Sequence, residues 1–235
     1  MVAPSNMTPV SIPMQSADLQ GDLTVPPSAR GIVLFAHGSG SSRHSSRNQL
    51  VAAELNKVVL ATLLFDLLTE QEEFEERNTR HLRFDITLLA NRLETATDWV
   101  MRDTTLKGLP IGYFGASTGG GAALVAAAQY PDKVRAVVSR GGRPDLAGEA
   151  LDHVRSPTLL IVGSEDDVII QLNAKAFDRL HCEKRMKIIP GATHLFEEPG
   201  TLESVAHLAS DWLGQHLNVT ISHLRETANW TIRDI

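Results

Sequence analysis

The sequence predicts an α/β fold: a mostly parallel central sheet with helices on both faces. Three observations lead there. Short apolar runs such as Gly31-Ile32-Val33-Leu34-Phe35-Ala36 recur without polar alternation, as strands covered on both faces require. Between these runs lie stretches with apolar residues at helical spacing. The chain has 235 residues, 43% of them hydrophobic, enough for one such domain with a full core.

The elements follow in order. Val10 to Val25 reads as a β-hairpin, and prolines such as Pro13 suggest edge strands. Gly31–Ala36 is a buried strand that opens into His37-Gly38-Ser39-Gly40. Asn48 to Val59 is a helix carrying Leu50, Val51, Leu55 and Val58, and Ala61 to Asp66 is the next strand. Leu67 to Phe84 breaks the pattern. Its glutamates (Glu70, Glu72, Glu73, Glu75, Glu76) predict a solvated excursion with at most a short helix. Asp85 to Arg102 is an amphipathic helix with Asp85 placed to cap it. Leu109 to Gly115 is a strand, and Thr118 to Ala128 an alanine-rich helix. Val134 to Ser139 is a strand, Leu146 to Val154 a short helix, and Thr158 to Val162 a strand. Ile170 to Leu180 is a helix, Lys184 to Ile189 the last strand, and Leu202 to Leu217 the last helix. Residues 1–217 read as a single domain, and 218–235 as a tail without a period.

Composition narrows the function. A formal charge of −6 and the lack of any basic run argue against nucleic acid as a partner. No run of about 18 apolar residues is present, so no membrane span is expected. Met1 to Gln15 lacks the basic start and apolar core of a signal peptide. The single cysteine, Cys182, allows no internal disulfide and fits a reducing, cytoplasmic setting. No second cysteine or H-x-x-x-H pair suggests a metal, and no cofactor is expected.

Chemistry concentrates at Gly115-Ala116-Ser117-Thr118-Gly119. This G-x-S-x-G run lies between a strand and a helix, where a sharp turn exposes a serine hydroxyl. Glycines on either side relieve the crowding, and the following helix points free amides at the serine. A serine hydroxyl still needs a base, and the base needs an orienting carboxylate. Asp166 follows a later strand and His194 the last one, which completes the order Ser, Asp, His. Of the three adjacent acids Glu165, Asp166 and Asp167, only one can point to the imidazole, and the short side chain of Asp166 suits a fixed hydrogen bond. The oxyanion amides fall to Thr118 and, in the loop after the first buried strand, Ser39. His37 reads as a structural hydrogen-bonding residue beside the site. Arg43, His44 and Arg140 are candidate substrate-binding residues. Arginine forks suit carboxylate or phosphate, and Arg47 and Arg143 lie at the same end.

The loop His37-Gly38-Ser39-Gly40, the elbow at Ser117, Gly163-Ser164-Glu165-Asp166 and Gly191-Ala192-Thr193-His194 together resemble the α/β-hydrolase superfamily, most closely its dienelactone-hydrolase-like branch. The resemblance spans roughly Val10 to Leu217. It implies an α/β-hydrolase fold with a minimal lid, because only Arg140 to Pro157 lies where larger members insert one. It implies a serine hydrolase that cleaves small or soluble carboxylic esters through an acyl-enzyme. One departure stands out: dienelactone hydrolases proper use cysteine, whereas position 117 is serine. A thioesterase or peptidase would use the same triad, and a non-catalytic binding module would use the same fold. Homo-oligomerisation stays open. A dinucleotide-binding reading of Gly38-Ser39-Gly40-Ser41-Ser42-Arg43 fails at its third glycine, which is Arg43.

Overall fold

Apolar runs fully buried on both sides must pair with one another, and here they form the middle of one sheet. The computed structural model describes residues 7–15, 17–217 and 233–234, the last two as backbone only. In chain order the strands are β1 (Met7–Pro13), β2 (Asp18–Thr24), β3 (Gly31–Ala36), β4 (Leu60–Phe65), β5 (Ile111–Ala116), β6 (Val134–Arg140), β7 (Thr158–Gly163), β8 (Lys184–Ile189) and the two-residue β9 (Arg233–Asp234). The helices are α1 (Ser46–Lys57), α2 (Glu70–Thr79), α3 (Ile86–Arg102), α4 (Thr118–Gln129), α5 (Asp167–Arg179) and α6 (Thr201–His216).

The sheet order is β1-β2-β4-β3-β5-β6-β7-β8-β9. From β4 to β8 the pairs are parallel; β1–β2, β2–β4 and β8–β9 are antiparallel. The hairpin expected at an edge is there, with Pro9 and Pro13 on the outermost strand. The chain moves from β3 outward to β4, then returns past β3 to β5. That reversal opens a crevice at the carboxyl ends of β3 and β5, where such sheets place ligands. Loop 37–42 and Ser117 both sit there.

Two apolar layers hold the sheet. On one face Val33, Phe35, Phe114 and Val138 pack against Val51, Ala52 and Leu55 of α1 and Val205, Ala209 and Leu213 of α6. On the other, Leu34, Tyr113 and Val137 meet Leu89, Leu93 and Val100 of α3, with α4 and α5 alongside.

Two expectations are corrected. Residues 67–84 are not merely solvated. Thr69 and Glu72 form a capping box for α2, a T-x-x-E signal present in the sequence. Glu76 is then buried and paired with Arg83. The helix expected at Leu146–Val154 is a 3₁₀ stretch, Pro144–His153, broken at Gly148 with φ +53. Most of 218–235 lies outside the described residues, but Arg233 and Asp234 add to the sheet beside Ile188 and Lys187. The lid position holds only residues 141–157, as expected. Among the described residues no helix is long and apolar enough to cross a membrane.

Candidate active site

Ser117 occupies the turn between β5 and α4 in a backbone conformation that L-residues seldom adopt, φ +51 and ψ −121. Neighbours over-determine it. Its N–H donates to the Arg140 carbonyl at 3.2 Å, and its own carbonyl accepts from Arg143 N–H at 2.9 Å and Gly120 N–H at 3.0 Å. Close approach explains the motif's glycines. A Cβ on Gly119 would lie 2.1 Å from the Ala36 carbonyl oxygen, and one on Gly115 would lie 2.5 Å from the Gly119 oxygen. The helix therefore sits against the ends of β3 and β5, with the serine at its N-cap. Such strain at a polar residue is characteristic of functional sites.

Asp166 and His194 come from two loops stitched together. Ser164 N–H donates to the Ile189 carbonyl, Glu165 N–H to the Ala192 carbonyl, and Gly191 N–H to Ser164 Oγ at 2.7 Å. Across this seam His194 Nδ1 lies 2.7 Å from Asp166 Oδ2. Asp166 is half-buried, whereas Glu165 and Asp167 are exposed. Asp166 is also the N-cap of α5, yet its side chain caps no helix amide, which leaves the carboxylate for the imidazole. His194 packs over the end of β6: a Cβ on Gly141 would be 3.6 Å from its Cε1. Ser117 is hydrogen-bonded to that same strand end, so the serine and the Asp166–His194 pair both lie at the carboxyl end of β6.

The loop after β3 completes the arrangement. Gly38 lies against Ser117, since a Cβ there would be 3.0 Å from Ser117 Cβ. Ser39 and Thr118 line one small cavity together with His37, Gly38, Leu68 and Arg83. Thr118 opens α4, where first-turn amides have no intrahelical partner. His37 behaves as a structural residue. Leu67 N–H donates to its Nε2 at 3.0 Å, so the proton sits on Nδ1, which faces the Gly38 carbonyl at 3.0 Å. Burial pushes its pKa down, against the opposing Gly38 hydrogen bond and the charges of Asp66 and Glu73. The neutral ring thus ties the β3 loop to the chain after β4.

The candidate substrate arginines separate. Arg43 is already occupied, which corrects its expected availability: its guanidinium pairs with Asp66 and lies 3.6 Å from Asp22, and its N–H donates to Asp66 Oδ1. Two carboxylates on adjacent strands draw it to the β2–β4 edge. His44 follows it outward and is exposed, its Nδ1 3.9 Å from Asp22. Arg143 forms a two-pronged pair with Asp145 at 2.8 and 2.7 Å. Arg47 reaches Glu197 at 3.3 Å. Arg140 is buried and has no acidic partner among the described residues.

Two positioning residues escaped the sequence reading. Glu198 accepts from Thr193 N–H at 3.1 Å and Thr193 Oγ1 at 2.6 Å, fixing the residue before His194. Phe196, buried with φ +57, anchors the residue two beyond it. A T-x-x-x-x-E spacing in a loop carries no recognisable signal, and neither does a lone aromatic. Among the described residues no group of three His, Cys, Asp or Glu side chains is placed to hold a metal ion.

Comparison with known proteins identifies the fold. Residues 31–155 match the family model described as alpha/beta hydrolase fold. A solved dienelactone hydrolase from Anabaena variabilis is 57% identical and superposes with a TM-score of 0.90, covering 91% of this chain and 99% of that one. A Pyrococcus furiosus esterase shares the fold at 15% identity and a TM-score of 0.74, covering 91% of this chain and 94% of that one. Two Mycobacterium tuberculosis proteins named "Putative phosphoribosyl transferase" are 59% identical over 197 residues, 84% of this chain. The match spans only 44% of each, so this chain corresponds to less than half of those relatives. The chain belongs to the α/β-hydrolase fold family, in its dienelactone-hydrolase-like branch.

Proposed function

We propose that the protein is a serine hydrolase acting on small or soluble carboxylic esters. The observation that carries this is the 2.7 Å Asp166–His194 pair, held at the strand ends beside a serine with φ +51. Ser117 attacks the ester carbonyl while His194 Nε2 takes its proton. Asp166 keeps the other ring nitrogen protonated and steadies the imidazolium. The amides of Thr118 and Ser39 hold the oxyanion. The alcohol leaves with the proton from His194, and water then releases the acyl group by the same route. A segment as short as 141–157 supplies no large lid, which suits soluble esters. Serine at position 117 favours esters in general over dienelactone.

The test is a panel of ester, thioester, lactone and amide substrates with wild type and Ser117→Ala. Wild type should prefer esters, and Ser117→Ala should lose at least about 10⁴ in kcat while staying folded. A fluorophosphonate probe should label wild type only. Undiminished ester turnover by Ser117→Ala would exclude the mechanism, and a preference for thioesters or amides would change the substrate class.

A further inference from the structure

A polar side chain is costly to bury unless its atoms find partners. Asn173, in α5, is fully buried, and it is only half satisfied. Two carbonyl oxygens converge on one end of its side chain: that of Gly142 at 2.9 Å, and that of Ile169, one turn back in the same helix, at 2.8 Å. Only the NH₂ group can face two acceptors, so both of its protons are committed there. The amide oxygen has no donor among the described residues. An apolar side chain of similar size would avoid that cost. What the amide supplies instead is a grip on Gly142.

Gly142 belongs to the segment that clamps Ser117. On one side of it the Arg140 carbonyl accepts from Ser117 N–H at 3.2 Å; on the other, Arg143 N–H donates to the Ser117 carbonyl at 2.9 Å. The segment is packed without slack. Gly141 N–H donates to the Ile161 carbonyl at 2.7 Å. A Cβ on Gly142 would lie 1.8 Å from Ser139 Oγ, and one on Gly121 would lie 2.7 Å from the Arg143 oxygen. The segment borders the histidine as well, since a Cβ on Gly141 would lie 3.1 Å from the His194 carbonyl oxygen. A shift of Gly142 therefore pulls on both hydrogen bonds that hold Ser117 at φ +51.

Both halves of the arrangement are tied to α5. Its N-cap is Asp166, whose Oδ2 lies 2.7 Å from His194 Nδ1. Asn173 stands two turns further along, on the same face, a rise of about 10 Å. One helix thus holds the carboxylate that orients His194 at its start and, from its middle, the segment that grips the serine.

We propose that Asn173 is a positioning residue for the reaction, and that α5 is the spacer that sets Ser117 against the Asp166–His194 pair. Fully buried, Asn173 acts through Gly142 and not by contact with substrate. Its effect on turnover rests on the serine-hydrolase reading; its effect on the clamp rests on the hydrogen bonds alone.

Asn173→Leu fills the same space and deletes both donors, and Asn173→Ala takes its place if the leucine variant fails to fold. Ala176→Gly, one turn further along α5, loosens the helix while keeping the amide, and serves as the control. Steady-state kinetics on p-nitrophenyl acetate and residue-resolved amide hydrogen exchange are measured for each. Asn173→Leu should lower kcat roughly 10- to 100-fold and change KM by less than about threefold, as expected when orientation and not binding is lost. The Ser117 and Arg143 amides should exchange at least about tenfold faster than in wild type, while the amides of β7 keep their protection. Ala176→Gly should leave kcat within about twofold and both amides protected. Wild-type kcat together with wild-type exchange in Asn173→Leu overturns the proposal, and so does a kcat loss in Ala176→Gly as large as that in Asn173→Leu. Faster exchange of the two amides in Asn173→Leu, with no ester cleaved even by wild type, removes the serine-hydrolase reading and the role in turnover, and leaves the clamp standing.

Discussion

At the scale of single residues, three adjacent acids leave β7, and only one faces the imidazole. Asp166 accepts from His194, Glu165 accepts from its neighbour Ser164, and Asp167 is exposed at the start of α5. Asp166→Asn replaces an acceptor oxygen with a group that can present a donor, which lets the ring take the wrong tautomer. By analogy with serine proteases, that variant should lose roughly 10⁴ in kcat, or about 5 kcal/mol of barrier. Glu165→Gln and Asp167→Asn should each lose less than about tenfold, since neither group touches the ring. Measuring kcat for all three on one ester checks this, and a crippled Asp167→Asn would contradict the geometry.

Elements are joined by a few buried polar contacts whose donors can be assigned. Thr97 of α3 donates its hydroxyl proton to the Leu93 carbonyl at 2.8 Å. With one proton per hydroxyl, the 2.6 Å contact between Thr97 and Tyr113 must have the phenol as donor. Burial pushes the Tyr113 phenol far above its usual range, so it stays neutral. This bolts α3 to β5, the strand that presents Ser117. The two truncations differ in what they leave behind. Tyr113→Phe removes the donor together with its need, and should lower stability by about 1 kcal/mol. Thr97→Val leaves a buried phenol without an acceptor and should lower it by about 2 to 3 kcal/mol. Urea unfolding of both variants gives the comparison, and the reverse order would refute the assigned donor.

For the whole molecule, acid should act in two stages. His37 and His216 are held below their ordinary value of 6.5, first of all by burial, so the unfolded chain binds more protons there. Stability should therefore begin to fall as pH drops through 6.5. Glu76 adds a second stage. Its burial works to raise the carboxyl, but the Arg83 side chain and the N–H groups of Leu82 and Arg83 outweigh it and set the pKa at about 2. That contribution is complete above the ordinary value of 4.5 and is lost as pH falls from there towards 2. Glu94, raised by burial and Asp98, opposes the trend. Urea midpoints at about pH 7.5, 5.5 and 3.5 should descend in both intervals, and Glu76→Gln should flatten the lower one. A level profile would show that these groups do not carry the pH dependence.

The sequence by itself determined the strands, most helices and the loops that carry the candidate site. Strand and helix periods are set by local backbone geometry, and the apolar runs of β3 to β7 print that geometry openly. Ser117, Asp166 and His194 were legible for a related reason: each follows a strand, and a parallel sheet gathers its strand ends at one edge. The stretch 67–84 was misread because its glutamates look alike in one dimension, while burial selects Glu76 alone and Arg83 meets it there. Only the tertiary structure decided which arginines remain free. Arg43 meets acids on two other strands, and Arg47 meets Glu197 across 150 residues of sequence. Charge pairing acts through space over a few ångströms, so residue order carries almost no record of it. Arg140 stands apart because the fold buried it and brought no carboxylate with it.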